Sequence, residues 1–202
     1  KIEQERSRLT VTPNYLIKEF DRFISTFDKS DPFYAAFLTL YYTGMRIGEL
    51  QALTLADLDL ENGIIHINKT YAIISGQEII TTPKTTKSVR EIYIPAFLCK
   101  LLKKHIKRYY KPQPDTRVFQ MAKETYRNRL VNHSEKAGVK RIRLHDIRHS
   151  HASLLIDLNF SVLMISERLG HEDPSITLKT YAHLFPTKQN ELVERLDEIF
   201  NK

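Results

Sequence analysis

Residues 144–150 read Leu-His-Asp-Ile-Arg-His-Ser, and the interpretation of the whole chain starts from this stretch. A helix is predicted over residues 145–157, and His145 and Arg148 lie three positions apart in it, so their side chains share one face. Ile147 points to another side of the helix and is expected in the core. An imidazole beside a guanidinium can move a proton and bind an anion.

Three other motifs supply groups of the same kind: Thr-Gly-Met-Arg-Ile-Gly-Glu-Leu at residues 43–50, Leu-Gly-His at residues 169–171 and Thr-Tyr-Ala-His at residues 180–183. Arg46 and Arg148 can hold phosphate oxygens, because a guanidinium is always charged and binds two oxygens at once. Tyr181 is the candidate nucleophile, although a phenol with a pKa of about 10 needs cationic neighbours to react. The motifs together favour attack on a phosphodiester without a metal ion.

Each of these residues also has a simpler structural explanation. A buried arginine is most often an ion-pair partner, and most of the chain's 10 tyrosines belong to the core or the surface. His149 and His151 fit packing or solvation equally well, so both are left outside the predicted catalytic set. Zinc ligation by the histidines is not favoured, because the chain lacks a His-Glu-x-x-His motif and Cys99 stands alone. Neither a metal ion nor a cofactor is predicted.

The composition limits the class of protein. The chain has 202 residues, 42% of them hydrophobic, which is enough for one good core. Lysine and arginine number 31 against 24 acidic residues, a formal charge of +7, and a basic globular chain usually faces a polyanion such as nucleic acid. The single cysteine, Cys99, excludes an internal disulfide and suits a reducing cytoplasm. No apolar run approaches the roughly 20 residues of a membrane span.

Periodicity and turn residues predict a mainly helical α+β domain with a small three-stranded antiparallel sheet. The strands are predicted at residues 63–71, 79–82 and 88–94, where β-branched residues alternate between turn signals. Helical spacing, caps and stop signals predict helices at residues 13–24, 32–43, 47–52, 96–109, 122–137, 145–157, 161–169, 174–182 and 188–200.

The motifs together resemble the catalytic domain of the tyrosine recombinases, or phage-type integrases. In style they are similar to the integrases of prophages, conjugative transposons and genomic islands. The resemblance extends from about residue 13 to residue 186. It rests on the motifs quoted above and on Thr-Pro-Lys-Thr at residues 82–85.

The resemblance implies a role for each residue of the site. Arg46 and Arg148 would hold the non-bridging oxygens of the scissile phosphate, and His171 would donate to a phosphate oxygen. Tyr181 would attack the phosphorus, forming a 3′-phosphotyrosine and releasing a 5′-hydroxyl. His145 would assist the transfer of the tyrosine proton.

The remaining predicted residues support this reaction or the binding of DNA. Lys84 would be the general acid that protonates the departing 5′ oxygen; Lys87 is its rival on the same hairpin, and Lys84 is preferred because it matches the family's Lys-Thr position. Glu49 would support the site without reacting. The residues predicted to contact the DNA backbone are basic side chains near the site: Lys87, Lys140, Arg141 and Arg143.

The predicted function is site-specific DNA recombination, the integration or excision of a mobile element. It needs no ATP, because the phosphotyrosine keeps the energy of the broken bond. The predicted substrate is double-stranded DNA at attachment sites, bound by a homotetramer whose subunits are monomers when free. An excisionase or a DNA-bending host factor would be a further partner. No membrane is involved, and the predicted location is the nucleoid of a bacterial cytoplasm.

The two alternative functions are DNA relaxation by a type IB topoisomerase and a DNA-binding remnant without catalysis. The Leu-Gly-His to Tyr spacing argues against the first and the full set of site residues against the second.

Three segments are predicted along the chain: residues 1–12 as a linker remnant, 13–186 as the catalytic domain and 187–202 as a C-terminal helix that neighbouring subunits exchange. An apolar stripe on this helix, which also fits packing on the chain's own core, consists of Leu192, Leu196, Ile199 and Phe200. The family's N-terminal core-binding and arm-binding domains have no counterpart in the sequence, so the chain is interpreted as the C-terminal part of a longer protein.

Overall fold

The computed structural model describes residues 16–83, 85–185 and 189–200. The α-helices of these ranges are α1 (Ile17–Ser25), α2 (Pro32–Thr43), α3 (Ile47–Ala52), α4 (Ala96–Ile106), α5 (Lys123–Ala137), α6 (Asp146–Asp157), α7 (Val162–Leu169), α8 (Pro174–Tyr181) and α9 (Gln189–Phe200). The strands are β1 (Leu58–Asp59), β2 (Ile64–Ile67), β3 (Thr70–Ile74), β4 (Gln77–Thr81) and β5 (Arg90–Tyr93). The mainly helical α+β prediction is confirmed, while the predicted first helical turn at residues 13–15 lies outside the described residues.

Local sequence signals set the ends of α2, the central buried helix. The Asp31 side chain accepts a hydrogen bond of 2.9 Å from the Phe33 backbone N–H, and Pro32 is the first helical residue. The helix ends at Gly44, whose φ of 66° is the left-handed conformation that glycine adopts without strain. The chain then turns at once into α3, so Arg46 emerges at the junction of two helices whose positions the core fixes.

The strands that make up the three-stranded sheet differ from the predicted ones. A three-stranded antiparallel sheet has the order β1-β2-β5, while β3 and β4 pair separately as a hairpin. The predicted strand at residues 63–71 is divided because the buried Asp57 carboxylate draws Asn68 and Lys69 out of the ladder. Asp57 accepts hydrogen bonds from Asn68 Nδ2 at 3.0 Å and Lys69 Nζ at 2.6 Å. A buried carboxylate needs such partners, and the strand periodicity of the sequence does not show them.

Two apolar clusters hold the helices together. The larger joins α1, α2 and α5 through aromatic rings, including a stack of Phe20 on Tyr41 with ring centroids 3.6 Å apart. The smaller joins α6, α7 and α8 through Ala152, Ile156, Ile165, Leu169 and Tyr181. The candidate nucleophile is therefore also a core residue. Of the helices in the described ranges, none is long and apolar enough to cross a membrane.

Candidate active site

An open cavity of about 550 Å³ lies where the ends of several elements meet. The start of α3, the start of α6, the end of α7 and the end of α8 all contribute to its wall. Six predicted site residues line it together, namely Arg46, Glu49, His145, Arg148, His171 and Tyr181. The structure thus brings to one place residues that are separated by up to 135 positions in the sequence (181 − 46 = 135).

Arg148 is the more buried of the two arginines that line this cavity. Its side chain projects from α6, the residue is 4% exposed, and its guanidinium donates to Gly44 O at 2.9 Å and to Leu169 O at 2.6 Å. These bonds use two of its five N–H donors and fix its orientation. Burial, and then the charge of Arg46, lower the pKa of Arg148 to about 9, so it is still protonated at pH 7. Because both partners are uncharged carbonyls, its positive charge is available to an anion in the cavity.

Arg46 is held by the buried carboxylate of Glu49, three residues further along α3. Glu49 accepts from the Arg46 backbone N–H and from Arg46 Nη1, both at 2.8 Å. It also accepts from Arg90 Nη2 at 2.9 Å and Arg90 Nη1 at 3.2 Å. Burial alone would raise the pKa of Glu49, but the hydrogen bonds and charge of Arg90, followed by Arg46, outweigh it and lower the pKa. The predicted supporting role of Glu49 has a physical form in these contacts.

Arg90 connects three segments that carry site residues, although the sequence analysis did not single it out. Besides Glu49 on α3, its guanidinium donates to Ser88 O at 3.0 Å, on the loop before β5, and to Arg168 O at 2.9 Å, near the end of α7. Gly170 has a φ of +66°, which strains other residues, and an added Cβ atom would also lie only 3.0 Å from Arg90 Cδ, so glycine is favoured there. His171 is the next residue in the chain, so the same packing positions its backbone.

Tyr181 ends α8 with its ring buried and its hydroxyl at the cavity. The residue is 2% exposed, and its Oη lies 2.5 Å from His149 Nδ1. Burial raises the pKa of Tyr181 to about 12, although the charge of Arg148 acts in the opposite direction. The resting phenol is therefore protonated at neutral pH, and attack requires a group that removes the proton.

The histidines of the cavity are neutral at pH 7 for a common reason. Burial lowers the pKa of His171 to about 4, with Arg148 and Arg46 adding to the effect, and burial also lowers the pKa of His145. His171 Nδ1 lies 2.8 Å from Thr177 Oγ1 of α8, which orients the ring. The rings of His145 and His149 meet edge to face, with centroids 4.9 Å apart.

The predicted general acid and the basic residues predicted to contact DNA differ in exposure and in their partners. Lys84 lies outside the described residues, so its role stays a prediction. Lys87 is exposed and donates to Glu172 O at 2.8 Å, at the rim of the cavity. The other predicted DNA contacts, Lys140, Arg141 and Arg143, are all exposed. Two of them form ion pairs within the chain, Lys140 with Glu19 at 3.1 Å and Arg143 with Asp146 at 3.0 Å.

His149 is the functional candidate that the sequence analysis left out. One signal was present, because His145 and His149 are four positions apart and so lie on one face of a helix. That spacing does not reveal which of the two histidines contacts Tyr181, because the position of α8 relative to α6 is set by tertiary packing. His151, also left out, is fully packed and its Nε2 accepts from Arg168 Nε at 3.0 Å.

Metal ligation has no support in the geometry. Across residues 16–83, 85–185 and 189–200, no three His, Cys, Asp or Glu side chains lie close enough together to hold a metal ion. The expectation that the reaction needs neither a metal nor a cofactor stays a prediction.

A mainly helical domain with two arginines and a tyrosine in one cavity has the architecture of a tyrosine recombinase catalytic domain. Residues 16–188 match the phage integrase family, and the chain belongs to that family. It is 33% identical over 196 residues to the ICEBs1 integrase of Bacillus subtilis (strain 168), covering 90% of this chain and 53% of that protein. The chain thus spans about half the length of this curated relative.

Solved structures show the same fold. The Tn1549 transposon integrase in complex with transposon right end DNA has a TM-score of 0.74 at 23% identity, covering 90% of this chain and 64% of that one. The catalytic domain of the bacteriophage HP1 integrase has a TM-score of 0.65 at 20% identity, covering 94% of this chain and 98% of that domain. The predicted resemblance and fold class are confirmed.

The Arg90–Glu49 contact makes a testable prediction about stability. Arg90→Met should lower the free energy of unfolding by about 3–5 kcal/mol, because it leaves a buried carboxylate with one cationic partner instead of two. The double variant Arg90→Met/Glu49→Gln should recover much of the loss, since the amide carries no charge. Urea unfolding of both variants measures this. If the double variant is no more stable than the single one, the charge of Glu49 is not what Arg90 compensates.

Proposed function

We propose that this chain is the DNA-cleaving part of a site-specific recombinase that breaks and rejoins DNA through Tyr181. One observation carries the proposal: the Tyr181 hydroxyl lies in the same cavity as Arg46 and Arg148, with an imidazole nitrogen 2.5 Å away. Nucleophile, base and anion-binding groups are thus gathered at one point. The names of the relatives agree with it, as the ICEBs1 protein is an integrase and the Tn1549 integrase was solved with DNA.

The charge of the cavity suits a phosphate diester. Among the described residues Arg148 has no carboxylate hydrogen-bond partner, and Arg46 shares Glu49 with Arg90, so positive charge is in excess at the cavity. In the transition state more negative charge develops on the phosphate oxygens, and fixed donors then stabilise it more than the ground state. A clamp of this kind is typically worth roughly 10²–10³ in rate. His171, held by Thr177, would donate to one of these oxygens.

The substrate would be double-stranded DNA at the ends or target of a mobile element. The chain carries a formal charge of +7, which favours a polyanion. Of the predicted backbone contacts, Lys87 and Arg141 are exposed, whereas Lys140 and Arg143 would first exchange their carboxylate partners for phosphates. Within a cell such a protein would act at the bacterial nucleoid. An excisionase or a DNA-bending protein would set the direction of the reaction.

DNA relaxation by a type IB topoisomerase uses a related phosphotyrosine but is not favoured here. The family matched by residues 16–188 is that of the phage integrases, and the relatives named above are integrases. A remnant without catalysis is also not favoured, because the described site residues are in place around the cavity.

Tyr181 should be the sole covalent nucleophile. Tyr181→Phe should bind DNA but form no protein–DNA adduct on a nicked suicide substrate, because the ring keeps its packing while the attacking oxygen is lost. Arg148→Ala should bind DNA and reduce adduct formation by roughly 10²-fold or more. Denaturing gels with protease-treated controls would measure the adduct, using the protein at its full natural length. An adduct formed by Tyr181→Phe would show that another residue attacks.

The leaving-group acid should be Lys84. A substrate whose 5′ bridging oxygen is replaced by sulfur has a leaving group that needs little protonation, so it should restore cleavage by Lys84→Ala. The same substrate should not restore cleavage by Arg148→Ala, because that variant lacks a phosphate contact. Lys87→Ala is the matched control, because Lys87 lies in the same segment between β4 and β5. Rescue of Lys87→Ala, with no rescue of Lys84→Ala, would reverse the choice between the two lysines.

The proposed tetramer would use the C-terminal helix, α9, for its assembly. The described apolar side chains of α9 face solvent: Ile199 is 71% exposed and Phe200 89% exposed, so the described part of the stripe is not buried on its own domain. The side chain of Leu192 lies outside the described residues. An apolar groove of about 770 Å³, here called the α6–α7 groove, could receive α9 of a neighbouring subunit. Its lining includes Tyr93, Leu154, Leu158, Phe160 and Met164.

Placing a charge on either surface should block assembly on DNA. Ile199→Asp in α9 and Met164→Asp in the α6–α7 groove should each abolish tetramers on DNA while single-site binding and the melting temperature stay nearly unchanged. Tyr110→Asp is the matched control, since Tyr110 is 87% exposed and belongs to neither surface. Analytical ultracentrifugation with DNA would measure the assembly. If Ile199→Asp instead lowers the melting temperature strongly, α9 packs on its own core.

A further inference from the structure

We propose that His149, and not His145, takes the proton from Tyr181 when the tyrosine attacks the phosphorus. The inference rests on the proposed function, because it assigns one step within that reaction. It also replaces the role that the resemblance gave to His145. The contact between the His149 ring and the tyrosine hydroxyl is the observation behind it.

Geometry separates the two histidines. A general base must reach the proton that it removes, at about 2.6–3.2 Å between heavy atoms or through one water. His149 Nδ1 lies 2.5 Å from Tyr181 Oη, and the two ring centroids are 5.5 Å apart. His145 sits at the start of α6, and its ring packs against that of His149 at an interplanar angle of 88°. Of the two rings, that of His149 is the one in hydrogen-bond contact with the tyrosine hydroxyl.

The protonation states of the pair fit a transfer in this direction. Burial, then the neighbouring His145, lower the pKa of His149 to about 4, while burial raises the pKa of Tyr181 to about 12. At pH 7 the imidazole is neutral and the phenol is protonated. The phenol then donates its hydrogen bond to the Nδ1 lone pair, which places the ring proton of His149 on Nε2. The other charged groups that act on His149 are Asp146, Arg148 and Arg143.

The step balances without any further reactant. The Tyr181 O–H bond breaks and its proton goes to His149 Nδ1, while Oη forms a bond to phosphorus. The bond from phosphorus to the 5′ oxygen breaks, and that oxygen keeps the electron pair and takes a proton from Lys84, the acid proposed above. Because the two pKa values lie so far apart, ionisation before attack would be negligible. The proton therefore moves as the bond to phosphorus forms, when the phenolic oxygen becomes more acidic.

Religation uses the same groups in reverse. The 5′-hydroxyl of the DNA attacks the phosphotyrosine, and the imidazolium of His149 returns its proton to the departing Tyr181 oxygen. A residue that only packed against the ring would have no part in this step. The inference thus predicts that His149 affects cleavage and religation alike.

The test compares asparagine variants, whose side-chain amide reaches the position of Nδ1 but does not accept a proton at neutral pH. His149→Asn, in the protein at its full natural length, should form the covalent adduct roughly 10²-fold or more slowly than the parent. Replacing Tyr181 by 3,5-difluorotyrosine supplies a more acidic phenol, which depends less on a base. The penalty of His149→Asn should then shrink at least tenfold. His145→Asn is the matched control, and its penalty should be the same with either phenol.

The pH dependence gives a second readout that packing alone would not change. With His149 present, adduct formation should be nearly flat from about pH 6 to 8, because the imidazole is already neutral there. In His149→Asn the rate should rise with pH, since the phenol must then lose its proton to solvent. If His149→Asn melts early, His149→Gln serves in its place.

Two outcomes would overturn the inference. One is a parental rate of adduct formation in His149→Asn. The other is selective rescue of His145→Asn by difluorotyrosine, which would make His145 the base. If the parent protein itself forms no adduct through Tyr181, the proposed function fails instead of this assignment.

Discussion

The carboxyl end of α7 is the constraint on which the site depends. The last carbonyl groups of a helix lack partners within the helix, and a buried helix end must find them elsewhere. Here Arg90 donates to Arg168 O at 2.9 Å and Arg148 donates to Leu169 O at 2.6 Å. Two guanidiniums thus supply hydrogen-bond donors for the last carbonyl groups of the helix. Their positive charge also interacts favourably with the negative end of the helix dipole. Because the same two side chains reach Glu49 and Gly44, α3, β5, α6 and the end of α2 are tied to one point.

This arrangement explains how several positive charges are kept close together in a largely buried place. Glu49 neutralises part of the charge by binding both Arg46 and Arg90, and carbonyl dipoles surround the remainder. The histidines stay neutral, so they add donors and acceptors without adding repulsion. The cost of desolvating Arg148 is met by hydrogen bonds to carbonyls, which leave its charge uncancelled. A phosphate that enters the cavity would supply the missing negative charge.

Tyr181 is a core residue whose hydroxyl lies at the cavity. Its ring packs in the cluster of α6, α7 and α8, while its hydroxyl reaches the cavity. Packing positions the oxygen, but burial also raises the pKa of the phenol to about 12 and makes it a poorer nucleophile. The proposed attack by this phenol therefore needs a base in contact with the hydroxyl. The residue that contacts it, from the adjacent helix, is His149.

The motifs and the periodicity of the sequence were enough to predict the class of fold, the family and six of the residues that line the cavity. Arg46, Glu49, His145, Arg148, His171 and Tyr181 could be named in advance, because the reaction demands particular groups and the motifs carry them at recognisable spacings. Helix ends such as those of α2 were also predictable, since Asp31, Pro32 and Gly44 act on their own neighbours in the chain.

Tertiary structure alone decided the finer arrangement. The division of the predicted strand depended on Asp57, whose partners are found only when the chain is folded. Arg90 appeared as an ordinary strand residue, because its partners lie on α3 and α7. Spacing put His145 and His149 on one face of a helix, but the packing of α8 on α6 chose which ring would meet Tyr181. A periodic pattern reports the direction of a side chain within its own element, whereas distances between elements are set by how those elements pack.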